Sequence, residues 1–242
     1  MFQPARPAAV LLDAGFTLTF PDATVIARNA AAAGVVVSAE ALARVENAVR
    51  RELGRYPWAS TRAQEATRPR TAGADFFRRM LDLAGAPGDD ARLDAAAALI
   101  WERHLQKNVW CRVGDGVEPA LARLRGAGVR LAVVSNSEGT VEAMLNDVGL
   151  GRHLETVVDS WVVGVAKPDP RIFQIALDRL GLASEAAVML GDVPSIDVEG
   201  ARAAGMRAVL VDPLDLYPGI DVPRVRDVGT FVASLLGSAA ES

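Results

Sequence analysis

The sequence predicts an α/β fold: a parallel sheet whose chain is interrupted by an inserted block of helices. Three observations lead there. From residue 109 onward, short apolar runs alternate with helical segments of about ten residues, the pattern of right-handed βαβ crossovers. Residues 22–108 are rich in Ala and Arg at helical spacing and hold no clear strand. Residues 8–12 form a continuous apolar run ending in Asp13, which suits a strand buried on both faces. That strand cannot bury itself alone, so it must join the sheet built by the later part of the chain.

The elements follow in order. After the first strand, helices are predicted over 22–33, 38–53, 72–84 and 90–107. Ser38 followed by Glu40 and Leu42 reads as a helix start, and Gly34, Gly54 and Gly85 read as helix ends. Residues 55–71 carry two prolines and little periodicity, and read mostly as loop. Beyond 109, helices are predicted at 117–125, 141–148, 170–180, 196–204 and 230–236, and strands at 130–134, 156–159, 187–190 and 208–211. The sheet core is thus expected from 1–19 and 109–242, with 20–108 as the insert. The alanine runs 30–33 and 95–98 follow from helix propensity.

Composition narrows the function. Of 242 residues, half are hydrophobic and 23% charged, an ordinary globular balance. The net charge is −4, and the 26 basic residues, only two of them lysine, are scattered among 30 acids. Neither a basic net charge nor a basic stripe is present, so no nucleic-acid partner is expected. A single cysteine, Cys111, leaves no internal disulfide and no Cys-only metal site, and reads as a small buried residue. No apolar run approaches the length of a membrane span. The apolar stretch near the N-terminus is too short for a signal-peptide core, and the protein is read as cytoplasmic.

The chemistry sits at strand ends. In an open parallel sheet, ligands bind beyond the carboxyl ends of the strands. The first strand ends in Asp13-Ala14-Gly15-Phe16-Thr17-Leu18, the second in Ser135-Asn136-Ser137, and a later one in Gly191-Asp192 followed by Asp197. Between them lies Lys167-Pro168-Asp169-Pro170. Clustered carboxylates repel unless a cation sits among them, and hard oxygen donors favour Mg²⁺. A phosphate held by Mg²⁺, Lys167 and the Ser135 hydroxyl would complete the charge balance. Each residue also has a plainer reading: Asp13, Asp197 and Ser135 could cap helices, and Lys167 could be a solvated loop lysine.

The set Asp13-x-x-x-Thr17-Leu18, Ser135-Asn136, Lys167-Pro168 and Gly191-Asp192-x-x-x-x-Asp197 resembles the four motifs of the haloacid dehalogenase-like hydrolase superfamily. The resemblance runs from Val10 to about Asp212, and the stretch from Gly191 through Gly200, Ala201 and Gly205-Met206 is its most family-like part. It implies a Rossmann-like core and a helical-bundle cap inserted after the first motif. It further implies that Asp13 is a nucleophile forming an aspartyl intermediate, and that Thr17, Ser135 and Asn136 bind substrate. Lys167 would neutralise the nucleophile and the transferring group. Mg²⁺ would be held by Asp13, the backbone carbonyl of Gly15, Asp192 and Asp197. The implied partner is a small molecule, a phosphate ester.

One departure matters. Phosphatases resembling this pattern place a second Asp where Gly15 stands, and a Gly where Phe16 stands. The second Asp protonates the leaving group and then activates water, a contribution of roughly 10²–10⁴ in rate. Three readings compete: Mg²⁺-dependent phosphate-ester hydrolysis with the proton handled elsewhere; metal-independent haloacid dehalogenation, which needs no leaving-group proton but does not call for Asp192; and a weak or non-catalytic binding protein. A carbon–phosphorus hydrolase would need a cap lysine, and residues 22–106 contain none. Insert residues that could meet a substrate are Arg28, Arg50, Arg51, Tyr56, Trp58, Asp75, Phe76 and His104. The plainer reading makes His104, Trp101, Trp110, Phe76 and Phe77 packing residues, and His153 a surface loop residue.

Overall fold

In the computed structural model, residues 6–53 and 73–237 are described. The chain divides into two compact units, Met1–Phe20 with Val113–Ser242, and Pro21–Arg112.

The first unit is a six-stranded sheet in the order β5-β4-β1-β6-β7-β8. The strands are β1 Ala9–Leu12, β4 Arg130–Ser135, β5 Thr156–Asp159, β6 Ala187–Gly191, β7 Arg207–Val211 and β8 Arg224–Val225, and every pairing is parallel. Thr19–Phe20 (β2) and Arg112–Val113 (β3) form a separate two-stranded ribbon. These two and β8 are two residues each, too short to show a period in sequence. The central strand β1 is wholly buried, as its unbroken apolar run requires. Alternate residues of four strands, Ala9 and Leu11, Ala132 and Val134, Ala187 and Met189, Ala208 and Leu210, join one apolar cluster with Ile172, Phe173 and Leu177 of helix Pro170–Leu180. Burying a side chain the size of Leu, Met or Phe contributes roughly 1.5–3 kcal/mol.

Register positions the chemistry. Leu12 pairs with Val133 on one side and Leu190 on the other. The polar residues that follow, Asp13, Ser135 and Asp192, therefore emerge within one residue of each other at one edge of the sheet. Chain order reverses about β1, the switch point at which such sheets bind ligands.

The second unit is built from helices Ala23–Ala32, Ala39–Leu53, Ala74–Leu83 and Asp90–Gln106. Three of them are capped by side chains: Ser38, the start read from the sequence, accepts from Ala41, Asp22 from the amides of Thr24 and Val25, and Asp89 from Arg92, whereas the helix from Ala74 has no side-chain cap. Ile26, Ala30, Leu42, Val49, Phe77, Met80, Leu81 and Ile100 form its core. No helix among the described residues is long and apolar enough to cross a membrane.

Candidate active site

Asp13 leaves β1 with its amide bonded to the Leu190 carbonyl at 2.9 Å, which locks it to the neighbouring strand. The chain then turns back tightly. Phe16 N donates to Thr19 O at 2.8 Å, and the amides of Leu18 and Thr19 both donate to Ala14 O at 2.9 Å. These bonds use the carbonyls of Ala14 and Thr19 and leave that of Gly15 out. Phe16 takes a left-handed backbone, φ +56°, which costs a residue with a side chain about 1–2 kcal/mol. Its ring is buried and meets Phe20 edge-on, with centroids 6.0 Å apart, a contact that offsets about 0.5–1.5 kcal/mol of this strain. The turn ends by burying Thr17, whose hydroxyl oxygen has no hydrogen-bond partner. A buried hydroxyl without a partner is uncommon and marks a place for a ligand atom.

A buried ion triad stands beside this turn. Lys167 is 2% exposed; its Nζ donates to Asp13 Oδ1 at 2.5 Å and to Asp197 Oδ1 at 2.7 Å. Burial disfavours the Lys167 ammonium, but Asp13 and Asp197 together outweigh that effect and hold its pKa above the usual lysine value. Asp13 moves the other way from a usual ion-paired acid. Burial pushes it up to about 6; Lys167 opposes the rise and Asp197 adds to it.

Two residues hold the triad in place. Asn136 Nδ2 donates to the Lys167 carbonyl at 2.9 Å, and its Oδ1 accepts from the Lys167 amide at 2.8 Å. Asp197, in the π turn Pro194–Val198, accepts from the Val193 amide at 2.9 Å through the oxygen that Lys167 does not use. Both residues are expected at substrate or metal; in the structure Asn136 bonds the backbone of Lys167, and Asp197 bonds its ammonium while belonging to a carboxylate cluster with Asp13 and Asp192. The closeness of the π turn to β6 requires Gly191. A Cβ there would lie 2.4 Å from Asp197 Cγ. Gly191→Ala is therefore expected to destabilise the protein by about 1–3 kcal/mol, read by thermal unfolding, and to displace Asp197 from Lys167.

The donor set suits a divalent cation. One carboxylate oxygen from each of Asp13, Asp192 and Asp197 lies within 4.8 Å of the others, and all three residues are buried. Three carboxylates against one ammonium leave an excess of negative charge in a dry site, and such a cluster is stable when a cation joins it. Hard oxygen donors of this kind match Mg²⁺. Asp13, Asp192 and Asp197 each offer a carboxylate oxygen to such an ion.

The remaining expected residues divide clearly. Ser135 is buried at the end of β4 and caps no helix. The next turn is fixed by Asp159, which accepts from Ser137 Oγ and from the amides of Gly139 and Trp161. Asp159 ends a strand as Asp13 does, which is the only sequence signal for this role. In the second unit, Arg50 is buried, Arg28, Arg51 and Asp75 are exposed, and Tyr56 and Trp58 lie outside the described residues. His104 is a packed residue: it stacks on Trp101 at 4.9 Å, and its Nδ1 accepts from the Val109 amide. Phe77 is core, with Phe76, Trp101 and Trp110 packed against it. Two readings are corrected. Cys111 is half-buried, with its thiol directed at Asp22, and burial raises its pKa. His153 is buried beside Glu118 at 3.1 Å, because the turn Gly151–His153 folds back on helix Val117–Gly126.

The sequence model described as haloacid dehalogenase-like hydrolase matches residues 7–205. The chain is similar to a phosphoserine phosphatase of Thermus thermophilus, 37% identical over 188 residues that make up 70% of this chain and 73% of that protein. It is also similar to a ribulose-1,5-bisphosphate 5-phosphatase of Halopiger xanaduensis, 34% identical over 142 residues and 57% of each chain. Among solved structures, a 2-haloacid dehalogenase from Pseudomonas syringae pv. tomato superposes with a TM-score of 0.56 at 25% identity, covering 97% of this chain and 98% of the other.

Proposed function

Because the chain belongs to the haloacid dehalogenase-like hydrolase family, we propose that this hydrolase acts on phosphate monoesters, with Mg²⁺, through a covalent intermediate on Asp13. The observation that carries the reading is the buried carboxylate cluster. Asp192 stands beside Asp13 where halide displacement would have no use for an acid, whereas a doubly charged phosphoryl group needs positive charge nearby. Asp13, Asp192 and the Gly15 carbonyl would hold Mg²⁺, whose charge when bound offsets that of the phosphoryl oxygens.

The chain's own residues do the rest. Lys167 keeps Asp13 in place and faces the transferring group with a fixed positive charge. Thr17, with its hydroxyl otherwise unpartnered, and Ser135 donate to phosphoryl oxygens. Asn136 and Asp197 are positioning residues acting through Lys167. The unit Pro21–Arg112 serves as the helical cap that supplies substrate specificity.

Dehalogenation is the second reading, favoured by one observation: Gly15 offers no acid, and a halide needs none. The two are separated by 4-nitrophenyl phosphate hydrolysis with Mg²⁺ and with EDTA, next to halide release from 2-haloacids. The expected result is 4-nitrophenolate release in Mg²⁺ that stops in EDTA. Halide release indifferent to EDTA, with no phosphatase activity, would replace the proposal by the second reading.

A further inference from the structure

We infer that the substrates of this site are phosphoric esters or anhydrides whose leaving oxygen departs without a proton: aryl, enol or acyl phosphates rather than alkyl phosphates. This rests on the phosphatase reading and specifies its leaving group, which can be an ester oxygen or the acyl oxygen of a mixed anhydride.

The inference starts from position 15. The turn after Asp13 places Gly15 and Phe16 in succession, so the turn carries a buried apolar ring and no acid. The titratable groups gathered around Asp13 among the described residues are Lys167, Asp192 and Asp197. Each is committed. Lys167 lies between two carboxylates, and giving up a proton would leave a neutral amine there beside two anions. Asp197 accepts at both oxygens, from Lys167 and from the Val193 amide. Asp192 belongs to the set that would hold the cation.

Two further acids at this edge of the sheet, Asp159 and Asp212, are engaged as acceptors. Asp159 accepts three hydrogen bonds. Asp212 accepts from the amides of Leu216 and Tyr217 and from Arg224. His153 precedes β5 and so lies at the opposite edge of the sheet.

The first step then balances with no proton transfer. A carboxylate oxygen of Asp13 attacks phosphorus, the new O–P bond forms, and the P–O bond to the leaving group breaks. The bonding pair departs with that oxygen as a phenolate, enolate or carboxylate. In the second step water attacks the phosphorus of the aspartyl phosphate, the electron pair returns to Asp13, and phosphate and one proton are released to solvent.

A leaving-group series tests this. kcat/KM, which reports the steps through leaving-group departure, is measured in Mg²⁺ for aryl phosphates spanning several units of phenol pKa, and for one alkyl phosphate. With no acid, the loose transition state puts nearly full charge on the leaving oxygen, and kcat/KM should fall about tenfold for each unit of phenol pKa. Gly15→Asp should flatten the series and raise turnover of the alkyl phosphate by about 10²–10⁴, while Gly15→Asn keeps the steep slope. Gly15 is not among the left-handed glycines of the chain, so neither side chain meets left-handed backbone strain there. The slope does not depend on how much of a variant is folded. A slope shallower than about threefold per unit in the unmodified enzyme would overturn the inference, because some group then donates the proton, and would leave the phosphatase reading standing. Absence of hydrolysis across the whole series would overturn both.

Discussion

Replacing Asp13 by Asn is expected to lower kcat/KM for 4-nitrophenyl phosphate by about 10⁴ or more, the scale seen when a nucleophile is removed from a set of residues acting together. Asn keeps a carbonyl oxygen that can accept from Lys167, as Asp13 Oδ1 does at 2.5 Å, so the triad keeps its shape. It also removes one of three buried negative charges lying within 4.8 Å. The variant should therefore unfold at a temperature equal to or above that of the unmodified protein, since functional sites often hold charge at the expense of stability. Rapid-quench mass spectrometry of the unmodified enzyme should find one added phosphoryl group on the peptide carrying Asp13, and none in the variant. A loss below tenfold would mean that water attacks substrate directly and that Asp13 only supports it.

Lys167→Met is the second large effect, and it falls on stability as well as rate. Met nearly matches the stem of Lys in volume, but removes the cation from between Asp13 and Asp197. Leaving buried carboxylates unpaired costs about 3–5 kcal/mol, which for a chain of this size lowers the unfolding temperature by about 6–20 °C. Loss of a fixed charge facing the transferring group should also lower kcat by about 10²–10³. Combining it with Asp197→Asn should recover part of the stability and none of the activity, because the second change removes one stranded charge without restoring the first. A Lys167→Met protein as stable as the original would show that the ammonium does not balance these carboxylates.

Much of the architecture was legible because burial leaves a mark on composition. The strands Ala9–Leu12, Arg130–Ser135, Ala187–Gly191 and Arg207–Val211 are apolar runs that no amphipathic helix would carry. The cap at Ser38 could be read because a cap is a local bond, made within three residues. The ribbon strands and β8 were not legible, since two residues show no period. The segment 196–204 reads as one helix but opens with a π turn, Pro194–Val198. That turn directs Asp197 to Lys167, a contact the local sequence cannot express.

The same division runs through the site. Sequence alone determined which side chains stand at the sheet's carboxyl edge: a parallel order puts Asp13, Ser135 and Asp192 there once the strands are identified. It also determined the missing acid, because Gly15 has no side chain to consult. Only the tertiary structure decided what those groups do to one another. It placed Asn136 on the backbone of Lys167, set Asp197 between the Lys167 ammonium and the Val193 amide, and left the Thr17 hydroxyl without a partner. The reason is separation along the chain. Asp13 and Lys167 are 154 residues apart, and Lys167 and Asp197 are 30 apart. Such pairs are set by strand register and by the packing of glycines such as Gly191; residue type supplies the charges, and burial decides which of them must meet.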